Sequence, residues 1–128
     1  MIVTIDIAPG EAFDRLTILE IKLERITDPQ KLANVKREYT ALLEALPETI
    51  SGQAELAPLR AELKSVNAQL WEVEEKLRGH ERRNDFGAEF VALARAVYRC
   101  NDRRALVKRQ INALLGSPLI EEKSFPLT

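Results

Sequence analysis

The sequence has very few of the residues that build metal, redox and nucleophilic sites. It contains one cysteine, Cys100, and one histidine, His80. A single cysteine excludes an internal disulfide framework and a zinc site made of several cysteines. Cys100 falls in an apolar register, where a buried and inert thiol is expected. His80 falls in an expected loop, and the lack of a second histidine argues against a metal site or a catalytic triad. We therefore expect no metal, no cofactor and no catalytic residue of these classes.

The chain also lacks an excess of charge of one sign and a long apolar run. It has 19 Lys and Arg residues against 20 Asp and Glu residues, so the net charge of −1 creates no field that selects nucleic acid. No apolar run approaches the roughly 20 residues that cross a bilayer, and residues 1–11 show no signal-peptide pattern. These absences predict a cytoplasmic protein that binds no nucleic acid and does not insert into a membrane. A length of 128 residues predicts one helical domain over residues 1–128.

The most regular feature of the sequence is a seven-residue repeat of apolar residues in the middle of the chain. Its members alternate at spacings of three and four residues: Leu56, Leu59, Leu63, Val66, Leu70, Val73 and Leu77. An apolar seam of this period is buried only against other helices. The sequence therefore predicts an all-α fold, a four-helix antiparallel bundle with short extended ends.

Proline, glycine and polar clusters set the expected boundaries of these helices. The predicted helices are, in chain order, Pro9 to about Ile26, 29–46, 54–78 and 87–115. Thr27-Asp28-Pro29 separates the first two, while residues 47–53 and 79–86 are expected to be loops. Gly116 is placed to end the fourth helix in a left-handed conformation. Residues 2–7 alternate β-branched and polar side chains, which is typical of a short strand.

The third and fourth helices are expected to form a long antiparallel hairpin centred on residue 83. At 1.5 Å per residue they are about 40 Å long, whereas the first two helices are about 27 Å long. The hairpin should therefore extend beyond the shorter pair and leave apolar surface for a partner. The first helix has a wide apolar arc, which predicts that it is covered on more than one side. We expect a homo-oligomer, in the simplest case a dimer. A different protein as the partner is the other interpretation of this apolar surface.

Two strips of polar and aromatic residues are expected to face each other along the flank of this hairpin. The register places Trp71 near Tyr98 and Asn67 near Asn101, and Glu74 continues the strip of the third helix. One interpretation is a small polar pocket floored by the two aromatic rings. The other is ordinary boundary packing, in which the rings pack while their polar tips remain hydrated.

A line of arginines on the fourth helix is the second candidate. Arg95, Arg99 and Arg103 are four residues apart, so their guanidinium groups lie one above another. Such groups bind phosphates and sugar acids, but they also form ion pairs with carboxylates such as Asp14 or make a solvated face. Together with the strips, this line gives the candidate ligand-binding set Trp71, Glu74, Arg95, Tyr98, Arg99, Asn101 and Arg103.

Acidic residues are numerous, but their spacing does not predict a magnesium site. Glu72 and Glu75 have a suitable spacing on the third helix. A helical Mg²⁺ site uses paired acidic clusters on neighbouring helices, and the fourth helix has no matching pair. A charged outer face is the expected role of these residues.

Six strings of residues, distributed from one end of the chain to the other, are specific. They are APGEAFDRLTILEIK at 8–22, RITDPQKLANV at 25–35, LWEVE at 70–74, ARAVYRCNDRRA at 94–105, KRQINALLGS at 108–117 and EEKSF at 121–125. Together they resemble a small bacterial family known only as a domain of unknown function. The resemblance implies no activity, but it implies an association with gene neighbourhoods for cell-surface polysaccharide and glycosyltransferases. It marks these motif positions: Asp14, Thr17, Lys22, Trp71, Glu74, Tyr98, Asn101, Asp102 and Arg103.

Two functions of different classes follow from these patterns. The first is a non-enzymatic cytoplasmic interaction or assembly module, which the extended hairpin and the absence of a catalytic constellation favour. The alternative is a small enzyme or sensor that binds a phosphorylated or acidic metabolite at an arginine-rich groove between helices.

Overall fold

The computed structural model describes residues 1–124 and 126, apart from the side chain of Ser51. The described residues form five helices and no strand: α1 (Pro9–Arg25), α2 (Pro29–Ala45), α3 (Glu48–Ser51), α4 (Leu56–Arg82) and α5 (Ala88–Leu114). The fold is all-helical, as the apolar periods predicted. No helix in the described part of the chain is both long enough and apolar enough to cross a membrane.

The helix boundaries follow from local chemistry that the sequence displays. Pro9 opens α1 and Pro29 opens α2, where a missing N–H costs nothing. Asp28 caps α2, because its Oδ1 accepts hydrogen bonds from the backbone N–H groups of Gln30 at 2.9 Å and Lys31 at 3.4 Å. Gly116 has a φ of +64° directly after α5, which confirms its predicted left-handed conformation.

Three boundary predictions are wrong. Residues 2–7 form no strand and are mostly exposed, because no other segment of the described chain pairs with them. The short helix α3 lies inside the predicted loop 47–53. Helix α4 continues to Arg82, so His80 lies in its last turn rather than in a loop. The chain leaves the helical conformation at Asn84, which has a φ of +53°.

Helix α1 is the centre of the packing. It contacts α2, α4 and α5, which confirms that its wide apolar arc is covered on more than one side. The buried cluster of the core takes residues from α1, α4 and α5: Phe13, Leu16, Leu56, Leu63, Val107 and Ile111. Helix α2 contributes partly buried side chains that pack against this cluster, including Tyr39 and Leu42.

Helices α4 and α5 form an antiparallel hairpin close to the predicted register. The Sγ of Cys100 lies 3.8 Å from the Oε1 of Gln69, and the rings of His80 and Phe90 meet edge to face nearer the loop. Cys100 is half-buried, so the prediction of a buried thiol is wrong.

The hairpin extends beyond α1, as the helix lengths predicted. The last residue of α1, Arg25, reaches Glu72 at 3.3 Å, and α4 continues from there to Arg82. The apolar seam of α4 is accordingly buried near its start, at Leu63 and Val66, and half-buried towards its end at Leu77. Apolar surface is therefore left at the projecting end of the hairpin.

Candidate functional site

A buried polar network joins α1, α4 and α5. Asp14 is 1% exposed, and it accepts two hydrogen bonds from Arg104: from Nε at 2.8 Å to Oδ1 and from Nη2 at 2.6 Å to Oδ2. Asn67 uses one amide nitrogen twice, donating to Asp14 Oδ1 and to Thr17 Oγ1, both at 3.0 Å. The Thr17 hydroxyl donates in turn to the backbone oxygen of Asp14 at 2.9 Å. Every member therefore has a partner, as a buried polar network requires.

The charge of Arg104 is held inside this network. Hydrogen bonds to Asp14 raise the pKa of the Arg104 guanidinium against the opposing effect of burial. A bidentate pair, with two parallel N–H···O hydrogen bonds, is the strongest geometry for an arginine with a carboxylate. Because Asp14 neutralises Arg104, this arginine presents little net charge to a ligand.

A second ionic cluster fixes the beginning of α1 and the C-terminal segment to α5. Lys108 is 7% exposed, and its Nζ donates to Glu11 at 2.7 Å and to Glu121 at 2.6 Å. Burial alone would lower the pKa of Lys108, but these two hydrogen bonds outweigh it and raise the pKa. Burial alone would raise the pKa of Glu11, and the hydrogen bonds from Lys108 and Arg15 outweigh it and lower the pKa.

Close approach of α1 to α5 beside this cluster depends on Gly10. Its backbone N–H donates to Asn112 Oδ1 at 2.7 Å, which satisfies one of the unpaired donors of the first helical turn. A Cβ at Gly10 would collide with the backbone oxygen of Lys108 and would lie 2.8 Å from Asn112 Oδ1. A larger residue is therefore excluded here unless α1 moves.

A cavity of about 560 Å³ lies beside the polar network, between the second half of α1 and the hairpin. Its wall is mostly apolar, its floor carries amide and guanidinium groups, and its rim is charged. The lining residues are Ile18, Ile21, Asn67, Leu70, Trp71, Glu74, Glu75, Arg78, Val97, Asn101 and Arg104. Apolar walls with a few converging polar groups are typical of a binding site.

The structure places part of the predicted ligand-binding set in this cavity. Trp71, Glu74 and Asn101 line it, and the indole N–H of Trp71 donates to Glu75 at 3.0 Å. No ring contact joins Trp71 to Tyr98 among the described side chains, so the prediction of a pocket floored by both aromatic rings is wrong. The predicted position of Tyr98 along the hairpin axis was right, but at that level α5 directs Val97, not Tyr98, into the cavity. One residue along a helix is a rotation of about 100°, which carries Tyr98 away from the cavity.

The predicted arginine line lies outside the cavity. Arg95 and Arg99 are exposed, and Arg95 Nε donates to the Tyr98 hydroxyl at 3.4 Å. This hydrogen bond lowers the pKa of Tyr98. Arg103 pairs with Glu62 at 3.1 Å on the outside of the hairpin. The line is thus a solvated face with one surface ion pair, rather than the wall of a groove.

Sequence reasoning missed Arg104 and Lys108, the two cations that the fold buries most effectively against carboxylates. One signal was available, since Arg104 is the one residue that interrupts an apolar series on the fourth helix: Phe90, Leu93, Val97, Cys100, Val107, Ile111 and Leu114. A charged residue in such a position needs a buried partner. Asp14 and Thr17 were among the motif positions, but nothing in the local sequence connects them to Arg104.

Histidine and cysteine build no metal centre in the described part of the chain. Within residues 1–124 and 126 there is no group of three or more His, Cys, Asp or Glu residues placed to hold a metal ion. His80 is 4% exposed, and Asp85 Oδ2 lies 3.2 Å from its Nδ1 without the alignment of a hydrogen bond. Glu89 lies 3.6 Å from its Nε2.

Comparison with known proteins places the chain in a family without indicating an activity. No curated protein and no solved structure matches the sequence. The sequence matches a family of unknown function, DUF6165, over residues 3–127. Since this match spans nearly the whole chain, the protein belongs to the DUF6165 family.

Proposed function

We propose that this protein is a non-enzymatic cytoplasmic assembly module that forms a homodimer. The observation that carries the proposal is the projecting end of the α4–α5 hairpin. Phe86 is 50% exposed and Val91 is 52% exposed there, beyond the reach of α1. Apolar side chains grouped at one end of a molecule mark an interaction surface more often than scattered ones do.

The internal polar groups support a structural role for the network. Asp14 and Lys108 both have partners within the fold, so their charges stabilise helix packing. We also propose that the four longer helices form an antiparallel bundle. The packing of α1 against the other three supports this arrangement. From the family resemblance alone, we further propose that the assembly serves cell-surface polysaccharide biosynthesis.

Sedimentation velocity across micromolar to millimolar concentrations tests the dimer. We expect the wild-type protein to dimerise, and Val91→Asp to shift the equilibrium towards monomer because a charge would enter the apolar contact. Leu43→Asp is the matched control, since Leu43 is an exposed leucine on α2, away from the hairpin. A wild-type protein that stays monomeric throughout would refute the proposal. Dissociation by Leu43→Asp but not by Val91→Asp would place the interface on α2.

A second candidate function is a sensor or small enzyme for a phosphorylated or acidic metabolite. The cavity beside Trp71, Asn101 and Arg104 is the observation that favours it. Native mass spectrometry of the purified protein and thermal shifts with nucleotides and nucleotide sugars test it. Arg99→Met is the control, since it removes a guanidinium outside the cavity and should leave a cavity-based shift unchanged.

A further inference from the structure

The cavity between α1 and the hairpin has the size of a small-molecule site. Its volume of about 560 Å³ falls within the roughly 300–1,000 Å³ that such pockets occupy. Three helices supply its apolar wall: Ile18 and Ile21 from α1, Leu70 from α4 and Val97 from α5. Trp71 adds an aromatic ring. The wall suits an apolar body, and the polar groups decide what that body carries.

The charged groups that line the cavity leave one carboxylate without a cation. Arg104 is neutralised by Asp14, to which it donates two hydrogen bonds. Arg78 lies 3.9 Å from Glu74 and offsets its charge. Glu75 accepts an uncharged indole N–H and forms no ion pair within the described part of the chain. The lining contains no charged residue besides these among the described residues, so the cavity favours a positive group.

A buried hydrogen-bond acceptor in the floor of the cavity has no donor. Asn67 is 5% exposed, and its amide nitrogen makes both of its hydrogen bonds, to Asp14 and Thr17. Its Oδ1 accepts none from the described residues, although the residue lines the cavity. Asn101 Oδ1 accepts only a long one, at 3.4 Å from Arg104. Since buried polar atoms are normally paired, a ligand with N–H or O–H donors would complete this floor.

We propose that this cavity binds a small apolar amine, an ammonium group carried on an aromatic body. The ammonium lies at the rim, where Glu75 attracts it and the Trp71 ring is available as a cation–π partner. An ammonium group has three donors and no acceptor, which matches a site whose unpaired polar atoms are oxygens. A further donor at the other end of the body pairs with Asn67.

The spacing of these groups sets the length of the ligand. Asn67 and Glu75 are eight residues apart on α4, about 12 Å along the helix axis. A body of one aromatic ring and a two-carbon chain spans this distance once a hydrogen bond is added at each end. The inference goes beyond the proposed dimer, because all the lining residues belong to one chain. Its ligand has the opposite charge to that of the second candidate function.

Three probes of matched shape test the charge of the ligand: phenethylamine, phenylethanol and phenylacetate. Trp71 is the only tryptophan of the chain, so its fluorescence reports directly on the cavity. We expect a dissociation constant for the amine at least about tenfold below that for phenylacetate, with the alcohol between them. The preference should shrink at about 1 M salt, because charges at an exposed rim are screened.

A fourth probe tests the floor of the cavity. Tyramine is phenethylamine with a phenol hydroxyl at the far end of the ring, where it can donate to Asn67. We expect it to bind about fivefold more tightly than phenethylamine, which is the usual value of one hydrogen bond. Equal affinities would overturn the role of Asn67.

Glu75→Gln tests the carboxylate at the rim. Glutamine keeps an oxygen that accepts the indole N–H but removes the charge, so affinity for the amine should fall about fivefold while affinity for the alcohol stays. Glu38→Gln is the matched control, since it removes the same charge on α2, which contributes no residue to the cavity. Both glutamates are exposed, so we expect native circular dichroism spectra.

The outcomes separate this inference from the proposed functions. Phenylacetate binding as tightly as phenethylamine would overturn it and would support the acidic ligand of the second candidate function. Trp71 fluorescence unchanged by millimolar amounts of every probe would overturn it as well, and an equal loss of amine affinity in Glu75→Gln and Glu38→Gln would overturn the role of Glu75. A monomer in sedimentation overturns the proposed dimer and leaves this inference standing.

Discussion

Arg104 donates a hydrogen bond to each carboxylate oxygen of Asp14, at 2.8 Å and 2.6 Å, and so forms a two-point ion pair between residues 90 positions apart in the sequence. The carboxylate is 1% exposed, and the arginine side chain is 30% exposed. This pair, with Asn67 and Thr17, fixes the rotation of α1 in the angle between α4 and α5. A change at either end of the pair therefore tests how far the polar network stabilises the fold.

Arg104→Met should destabilise the protein by about 3 kcal/mol, the low end for breaking a buried pair because Arg104 is partly exposed. The substitution keeps the apolar stem of the side chain but leaves Asp14 buried without its cation. Arg103→Met is the control on the adjacent residue, and it should cost less than about 0.5 kcal/mol because its pair with Glu62 is exposed. Urea unfolding of both variants measures the difference, and equal losses would contradict it.

Gly10→Ala should destabilise the protein by about 1–3 kcal/mol, although alanine favours helices more than glycine does. The added methyl group meets the backbone oxygen of Lys108, which cannot move without shifting α5. Gly79→Ala is the control inside α4, where the nearest atom is the flexible end of Arg83 at 3.2 Å. There the change should stabilise by up to about 1 kcal/mol. Thermal unfolding of the two variants should shift in opposite directions.

The pair of Glu11 and Lys108 should make stability depend on pH at both extremes. The pKa of Glu11 is lowered from 4.5, so its contribution is present above pH 4.5 and is lost as pH falls through the folded-state pKa. The pKa of Lys108 is raised from 10.5, so its contribution is complete below pH 10.5 and is lost as pH rises through the folded-state pKa.

Lys108→Met should therefore shrink the acid decline and remove the alkaline decline that this pair causes. Denaturant midpoints at acid, neutral and alkaline pH measure the effect. Lys36→Met, at an exposed position on α2, should keep the wild-type profile. A Lys108→Met profile parallel to that of the wild type would mean that other groups produce the dependence.

Leu63→Glu should destabilise the protein by more than about 3 kcal/mol, because Leu63 is fully buried and a charge there has no partner. Leu77→Glu lies on the same seam but near the projecting end, where the side chain is half-buried and water can reach the carboxylate. It should cost clearly less. Circular dichroism and urea unfolding distinguish the two, and a native Leu63→Glu protein would mean that the seam does not form the core.

The register of the hairpin could be predicted from sequence, but the face that each residue occupies could not. Loop position and helix rise place Trp71 and Tyr98 at one height, and the contact of Gln69 with Cys100 agrees. A shift of one residue turns a side chain by about 100°. The inward residue of α5 at this height is Val97, so the predicted aromatic floor became one cavity wall and one exposed phenol.

The sequence by itself determined the four longer helices, apart from the exact end of α4, because their signals are local. Helix starts and ends depend on residues that act on the nearby backbone: Pro9, Asp28 with Pro29, and Gly116. The seven-residue period of the α4 seam is likewise visible within one segment of the sequence. The tertiary structure alone decided which charges meet. Asp14 pairs with Arg104, and Glu11 with Lys108, only when α1 packs between α4 and α5. Gly10 permits the close approach that this packing needs. Such partners lie about a hundred residues apart, and no period or spacing in one segment encodes a rotation set by packing against another.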